Sequence, residues 1–212
     1  APAAANNGGI VTGSGTINGA VTVNNGGILG GRLTVRNTAT VKAGGFIQPG
    51  EFAPGNISIS NLVMEAGAQV RICSASNNVV CVTNSLTTSS GGTNYVDVTA
   101  VPGTGQYPLI AYGPLGIAGG GFRSLELRYL PHGVEAALTN NTANMSVDLL
   151  VTSAEIVSNL VWTGDTDTLW NIRATTNWDY TGDDTTFYDG DRVIFDDTAT
   201  RFTVDVAQAV MP

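Results

Sequence analysis

The chain has 212 residues, 27 of them glycine, with 42% hydrophobic, only 12% charged, a single lysine and a net charge of −8. That balance excludes a disordered chain, and abundant Thr, Val, Asn and Gly with few helix formers point to short strands joined by many turns. The acidity argues against nucleic acid or an anionic membrane as partner, and no apolar run approaches the roughly 18 residues of a membrane helix.

The charge is uneven. Residues 1–150 carry six basic and six acidic side chains, whereas residues 151–212 carry three basic and eleven acidic ones, so the whole net charge lies in the last third. The composition break predicts two parts, residues 1–152 and 153–212. The first five residues, Ala1-Pro2-Ala3-Ala4-Ala5, lack the charged and apolar regions of a signal peptide. Both ends fall in mid-pattern, which reads as a segment of a longer protein.

From the N-terminus, Asn6-Asn7-Gly8-Gly9-Ile10 returns as Asn24-Asn25-Gly26-Gly27-Ile28 and, altered, as Lys42-Ala43-Gly44-Gly45-Phe46. Gly9, Gly27 and Gly45 stand 18 residues apart. A unit so short cannot bury an apolar face alone, so it predicts stacked coils of a β-solenoid, each about 60 Å round at roughly 3.3 Å per residue. Short strands are predicted at 10–12, 20–23, 33–35, 40–42, 57–59 and 69–72, with glycines at the corners. Ile10, Ile28 and Phe46 are predicted to stack as one inward apolar column. By Gly67 the spacing from Gly45 has stretched to 22, so later coils should be wider or interrupted by loops, and binding is expected there.

Cys73 and Cys81 flank a mostly polar loop. If its ends pair across a hairpin they reach disulfide distance, which predicts a Cys73–Cys81 disulfide and an oxidising compartment. The alternative is two buried thiols. Longer strands follow at 95–98, 107–112, 124–129, 134–138 and 145–150, and the last third holds strands at 192–195 and 203–206 together with Trp162, Trp170 and Trp178, eight residues apart.

Certain segments resemble the passenger domains of bacterial type V autotransporters. Residues 30–31, 43–50 and 61–68, with the Gln48-Pro49-Gly50 step, look like the passenger repeat. Tyr107-Pro108-Leu109-Ile110 and Gly116–Phe122 are similar to the segment that follows it. Leu160-Val161-Trp162-Thr163-Gly164-Asp165, Asn177-Trp178 and residues 189–197 resemble the opening of the autotransporter-associated strand repeat. The resemblance implies an all-β fold, a right-handed parallel β-helix. It implies display at the surface of a Gram-negative bacterium, or secretion from it, with anchoring through a C-terminal outer-membrane β-barrel. It further implies a stalk and adhesin of a virulence type, whose partner is a host extracellular-matrix protein, a glycan, a cell-surface receptor or a sister cell through self-association. Passengers are nearly cysteine-free, so the Cys73/Cys81 pair departs from the pattern.

Each candidate site also has a plainer role. Asp165, Asp167, Asp183, Asp184, Asp189, Asp191, Asp196 and Asp197 could supply calcium oxygens, but aspartate in a turn ordinarily bonds its own backbone. Carboxylate pairs would suit a β-helical polysaccharide hydrolase or lyase, the alternative function, yet the six acids before residue 151 are scattered singly. The tryptophans could stack on sugars but more readily form a cross-strand core. His132, the one histidine, lies in a Pro-His-Gly turn. No catalytic, cofactor-binding or metal residue is assigned, no cofactor is implied, and the chain is read as a non-enzyme.

Overall fold

The 18-residue echo is a hydrogen-bonding register. The structure, a computed structural model, describes residues 3–50, 55–75, 78–131, 133–154, 159–188 and 190–210. It is all-β, dominated by a large mixed sheet rich in parallel strands. Two compact units divide it, Ala1–Leu130 with Glu135–Ser153, and Pro131–Val134 with Ala154–Pro212.

In the first unit the strands are β1 (Ala3–Ala5), β2 (Ile10–Val11), β3 (Ser14–Ile17), β4 (Val21–Val23), β5 (Ile28–Val41), β6 (Phe46–Pro49), β7 (Ile57–Met64) and β8 (Gln69–Ile72). They continue as β9 (Val80–Thr88), β10 (Asn94–Val98), β11 (Gly105–Ala111), β12 (Ile117–Gly119), β13 (Leu125–Tyr129), β14 (Val134–Asn141) and β15 (Ser146–Ala154). The long β5 serves two ladders. Its first residues pair in parallel with β2 and β6, and the remainder pairs in parallel with β3, β4 and β7.

The Asn-Gly segments are the corners. Gly9 donates its N–H to Asn6 O, and Gly27 to Asn24 O, closing four-residue turns. Gly8, Gly26, Gly44 and Gly67 hold φ of 69°, 69°, 71° and 79°, the left-handed region that glycine enters without a Cβ clash. These glycines stack: Gly8 N–H donates to Gly26 O, Gly26 to Gly44 O, Gly44 to Gly67 O and Gly67 to Thr93 O, at 2.7–3.1 Å. Asn24 Nδ2 also donates to Asn6 Oδ1 at 2.8 Å. Gly67 therefore aligns with Gly44 rather than Gly45. The added residues enter elsewhere: Gly31 and Thr34 pair with Pro49 and Ser58, so a three-residue step becomes nine.

The predicted Ile10–Ile28–Phe46 column exists in register, but it faces outward. Ile10 is 49% exposed and Ile28 and Phe46 are half-buried. The core column is one residue on: Val11, Leu29, Ile47, Val70, Val96 and Leu127 align, and the middle four have no solvent exposure. Each apolar residue is followed by another, so alternation alone leaves the face open, and a one-residue slip exchanges inside for outside. Opposite stands a second buried set, Val21, Ala39, Leu62 and Leu86, in register on β4, β5, β7 and β9. Together the two columns remove a continuous apolar strip from water.

The parallel order does not run to the end of this unit. β11 pairs in parallel with β9 but antiparallel with β15, from Gly105↔Val151 to Ala111↔Ser146, and β14 lies beyond β15.

The second unit contains β16 (Leu160–Trp162), β17 (Leu169–Trp170), β18 (Trp178–Tyr180), β19 (Asp183–Thr185), β20 (Val193–Ile194) and β21 (Asp205–Val206). Four strands run in the order β19-β18-β16-β20, and β17 pairs with β21. Its core is aromatic: Trp162, Trp170, Trp178 and Phe187 are buried with Leu160 and Ala199. Trp162 and Trp178 oppose each other across β16 and β18 with ring centroids 5.1 Å apart, edge to face. Asn177, fully buried, ties the surrounding turns. Its Oδ1 accepts the N–H of Thr166 and Asp167, and its Nδ2 donates to Asp167 Oδ1 and Leu169 O.

Candidate binding surface

The two cysteines occupy different ladders. Cys73 follows β8, where its Sγ accepts Gln48 Nε2 at 3.3 Å. Cys81 lies in β9, aligned with Ser58 and Ala111. The two positions thus belong to different ladders rather than to one hairpin, and no disulfide joins Cys73 to Cys81. Burial pushes the Cys81 thiol pKa up.

Four aspartates of the second unit accept from backbone N–H groups within three residues. Asp167 accepts Leu169 N–H, Asp179 accepts Gly182 N–H, Asp191 accepts Tyr188 N–H and Asp196 accepts Thr198 N–H, at 2.8–3.1 Å. The Thr198 hydroxyl and N–H hold the Asp196 carboxyl below the usual range. Among the described residues no three His, Cys, Asp or Glu side chains gather as a metal would require. His132 and Asp189 lie outside the described residues.

Among the described residues of the first unit, two carboxylates are buried, and each has its own partners. Asp97 on β10 is 4% exposed. Arg128 on β13 grips it, with Nε to Oδ1 at 3.0 Å, and also donates to Gln69 Oε1 at 2.7 Å. Asp148 on β15 is 3% exposed, and its Oδ2 accepts Gln106 Nε2 at 2.7 Å and Asn141 Nδ2 at 2.8 Å.

The Asp97–Arg128 pair belongs to an outward strip along one ladder. Phe46, Gln69, Tyr95 and Glu126 occupy one line, and Arg71, Asp97 and Tyr129 the next but one. The Arg71 guanidinium stands 4.5 Å over the Phe46 ring, and that of Arg128 stands 5.0 Å over Tyr95. Each arginine covers an aromatic face that the outward register would leave in water, a contribution of about 0.5–1 kcal/mol per pair at such exposed sites.

A different kind of surface lies between two turns of the first unit. Tyr112, Gly113, Pro114, Gly116, Ile117 and Phe122 form one wall of a cleft of about 340 Å³, and Asn140, Thr142 and Met145 form the other. The walls are tied. Tyr112 N–H donates to Met145 O at 2.9 Å, and its hydroxyl donates to Asn140 Oδ1 at 2.7 Å. Burial, with the Asp148 charge second, raises the Tyr112 pKa. A cleft with an aromatic floor and convergent polar groups is the usual form of a small-ligand site. The wider later layers were the expected place of binding, and of the cleft's residues Gly116, Ile117 and Phe122 fall in a segment the sequence singled out, Gly116–Phe122.

No known protein-family model matches this chain, and no curated protein sequence matches it.

Proposed function

We propose that the chain is a structural and adhesive segment of a surface-displayed autotransporter passenger, and that its first unit is a right-handed parallel β-helix. The observation that carries this reading is the stacked Asn-Gly turn, repeating at 18 residues with one backbone hydrogen bond from each layer to the next. Parallel strands joined by crossovers are right-handed in nearly all known cases, which supports that hand. Such layers extend a surface outward with few residues per step, and each offers the next an edge to pair with. That suits a stalk exported as an unfolded chain and anchored by an outer-membrane β-barrel. The resemblance of the Trp162-Thr163-Gly164-Asp165 and residue 189–197 segments to a passenger repeat points the same way.

In this reading the chain is not an enzyme. It engages a host matrix protein, a host glycan or receptor, or a copy of itself on a sister cell. The test is display of the chain on a Gram-negative cell that lacks adhesins, followed by binding to immobilised matrix proteins, glycans and cultured host cells, and by a cell-aggregation assay. Adhesion or aggregation above the undecorated cell is expected. Absence of both reduces the role to a stalk and removes the adhesive half of the proposal. Hydrolysis or elimination products from a polysaccharide panel would replace it with the enzymatic reading.

A further inference from the structure

We propose that the Tyr112–Met145 cleft is a subsite for one neutral sugar ring at the end of a glycan. This inference rests on the adhesive reading above and names the ligand for one place on it.

The site is built before the ligand arrives. Besides the two bonds from Tyr112, Gly116 N–H donates to Gly113 O at 3.0 Å. Gly113 lies so close to the layer beneath that a Cβ there would meet Asn84 O at 2.5 Å and Thr83 O at 2.8 Å. The floor cannot rise and the walls cannot part without breaking these contacts, so little ordering is left for binding to supply. Met145 adds strain: it is a non-glycine residue at φ 52°, and its side chain is 44% exposed at the mouth. Such conformations persist where surrounding structure imposes them, often at ligand contacts.

The lining selects the class of ligand. Among the described residues, no Asp, Glu, Lys, Arg or His borders the cleft. A phosphate, sulfate, carboxylate or ammonium would leave water with no opposite charge to meet it, which is costly. What the cleft does present is apolar surface from Tyr112, Phe122, Ile117 and Met145, together with an amide and a hydroxyl from Asn140 and Thr142. The bond from Tyr112 occupies Asn140 Oδ1 and so fixes the carboxamide, whose Nδ2 supplies two donors. A pyranose has the matching surface: an apolar C–H face for the aromatic wall and a rim of hydroxyls that donate and accept. The volume, near the low end of the roughly 300–1000 Å³ of small-ligand sites, suits one or two rings better than an extended peptide.

The experiment uses the whole chain and two variants on the exposed 140–145 turn. Asn140→Asp keeps an acceptor for Tyr112 but replaces the amide donors with a charge, and Thr142→Trp fills the cleft. Circular dichroism checks that each variant retains the wild-type spectrum. Probes are oligosaccharides ending in galactose, glucose, mannose or N-acetylglucosamine, their sialylated and sulfated forms, and a proline-rich peptide, screened on an array and then by saturation-transfer NMR. Binding of at least one neutral glycan is expected, weakened by about tenfold or more in both variants, equivalent to about 1.4 kcal/mol. Neutral-glycan binding unchanged in both variants overturns the cleft and leaves the adhesive reading intact. Binding only of acidic glycans, or only of the peptide, overturns the ligand assignment. Silence across all probes overturns the inference, and the cell-adhesion assay then decides the wider reading independently.

Discussion

Exchanging which of two adjacent side chains is removed tests the assignment of inside and outside directly. Ile47 has no solvent exposure and lies between Leu29 and Val70, whereas its neighbour Phe46 faces outward beneath Arg71. Ile47→Ala removes three buried carbons, about 2.4 kcal/mol at roughly 0.8 kcal/mol each, and the cavity left behind takes the cost to about 2–5 kcal/mol. Phe46→Ala loses a larger group, but one already half in water. The expected cost is about 1–2 kcal/mol, of which about 0.5–1 is the arginine contact. Urea unfolding followed by far-UV circular dichroism measures both, through the shift in midpoint at constant slope. Tryptophan fluorescence is the wrong probe, because all three tryptophans lie in the second unit. A Phe46→Ala variant less stable than Ile47→Ala would refute the outward column and return the core to Ile10, Ile28 and Phe46.

Three further outcomes are expected. Ellman's reagent should find two thiols in the denatured, unreduced chain and, at pH 8, a slow reaction of Cys81 in the native chain, because burial raises its pKa; finding none would establish the disulfide. Desolvation and then Asp148 raise the Tyr112 pKa above its usual 10.0, so its phenol should titrate late in absorbance at 295 nm. The stability it contributes should be complete below about pH 10 and fall as pH rises through the higher folded value, and an early-titrating Tyr112 would contradict the burial. Asn177→Ala should unfold the second unit preferentially, by about 2–4 kcal/mol for several buried hydrogen bonds at about 1 kcal/mol each, seen as a lowered midpoint in tryptophan fluorescence; an unchanged midpoint would show that the turns hold without it.

What could be read in the sequence follows the range of the forces. The corners were legible, because an Asn-Gly turn with a left-handed glycine is decided within four residues, and its recurrence gave the layer spacing. Aspartates in turns and aromatic packing of Trp162 and Trp178 were legible for the same local reason. The face was not. Ile10-Val11, Ile28-Leu29 and Phe46-Ile47 each offer two apolar candidates, and only the closing of a whole layer chooses between them. The Cys73–Cys81 loop suggested a hairpin because a short polar loop can turn back, whereas the two positions belong to different ladders. Arg128 meets Asp97 across 31 residues, and Tyr112 meets Asn140 across 28. By then the early period had been lost, so no spacing pointed to either contact or to the cleft.

The antiparallel pairing of β11 with β15 gives the first unit a latch. Its parallel rungs join residues 18 to 32 apart, so each closes a short loop. The nearest pair of the latch joins Ala111 to Ser146, 35 residues apart, which adds roughly 0.6 kcal/mol of closure entropy over the 18-residue rung. Rungs can therefore form one after another as the chain emerges, while the latch waits until the last of its strands is present. Under tension or a protease the order reverses. Once formed, the latch pairs the β11 edge, and β14 becomes the outermost strand at that end of the sheet.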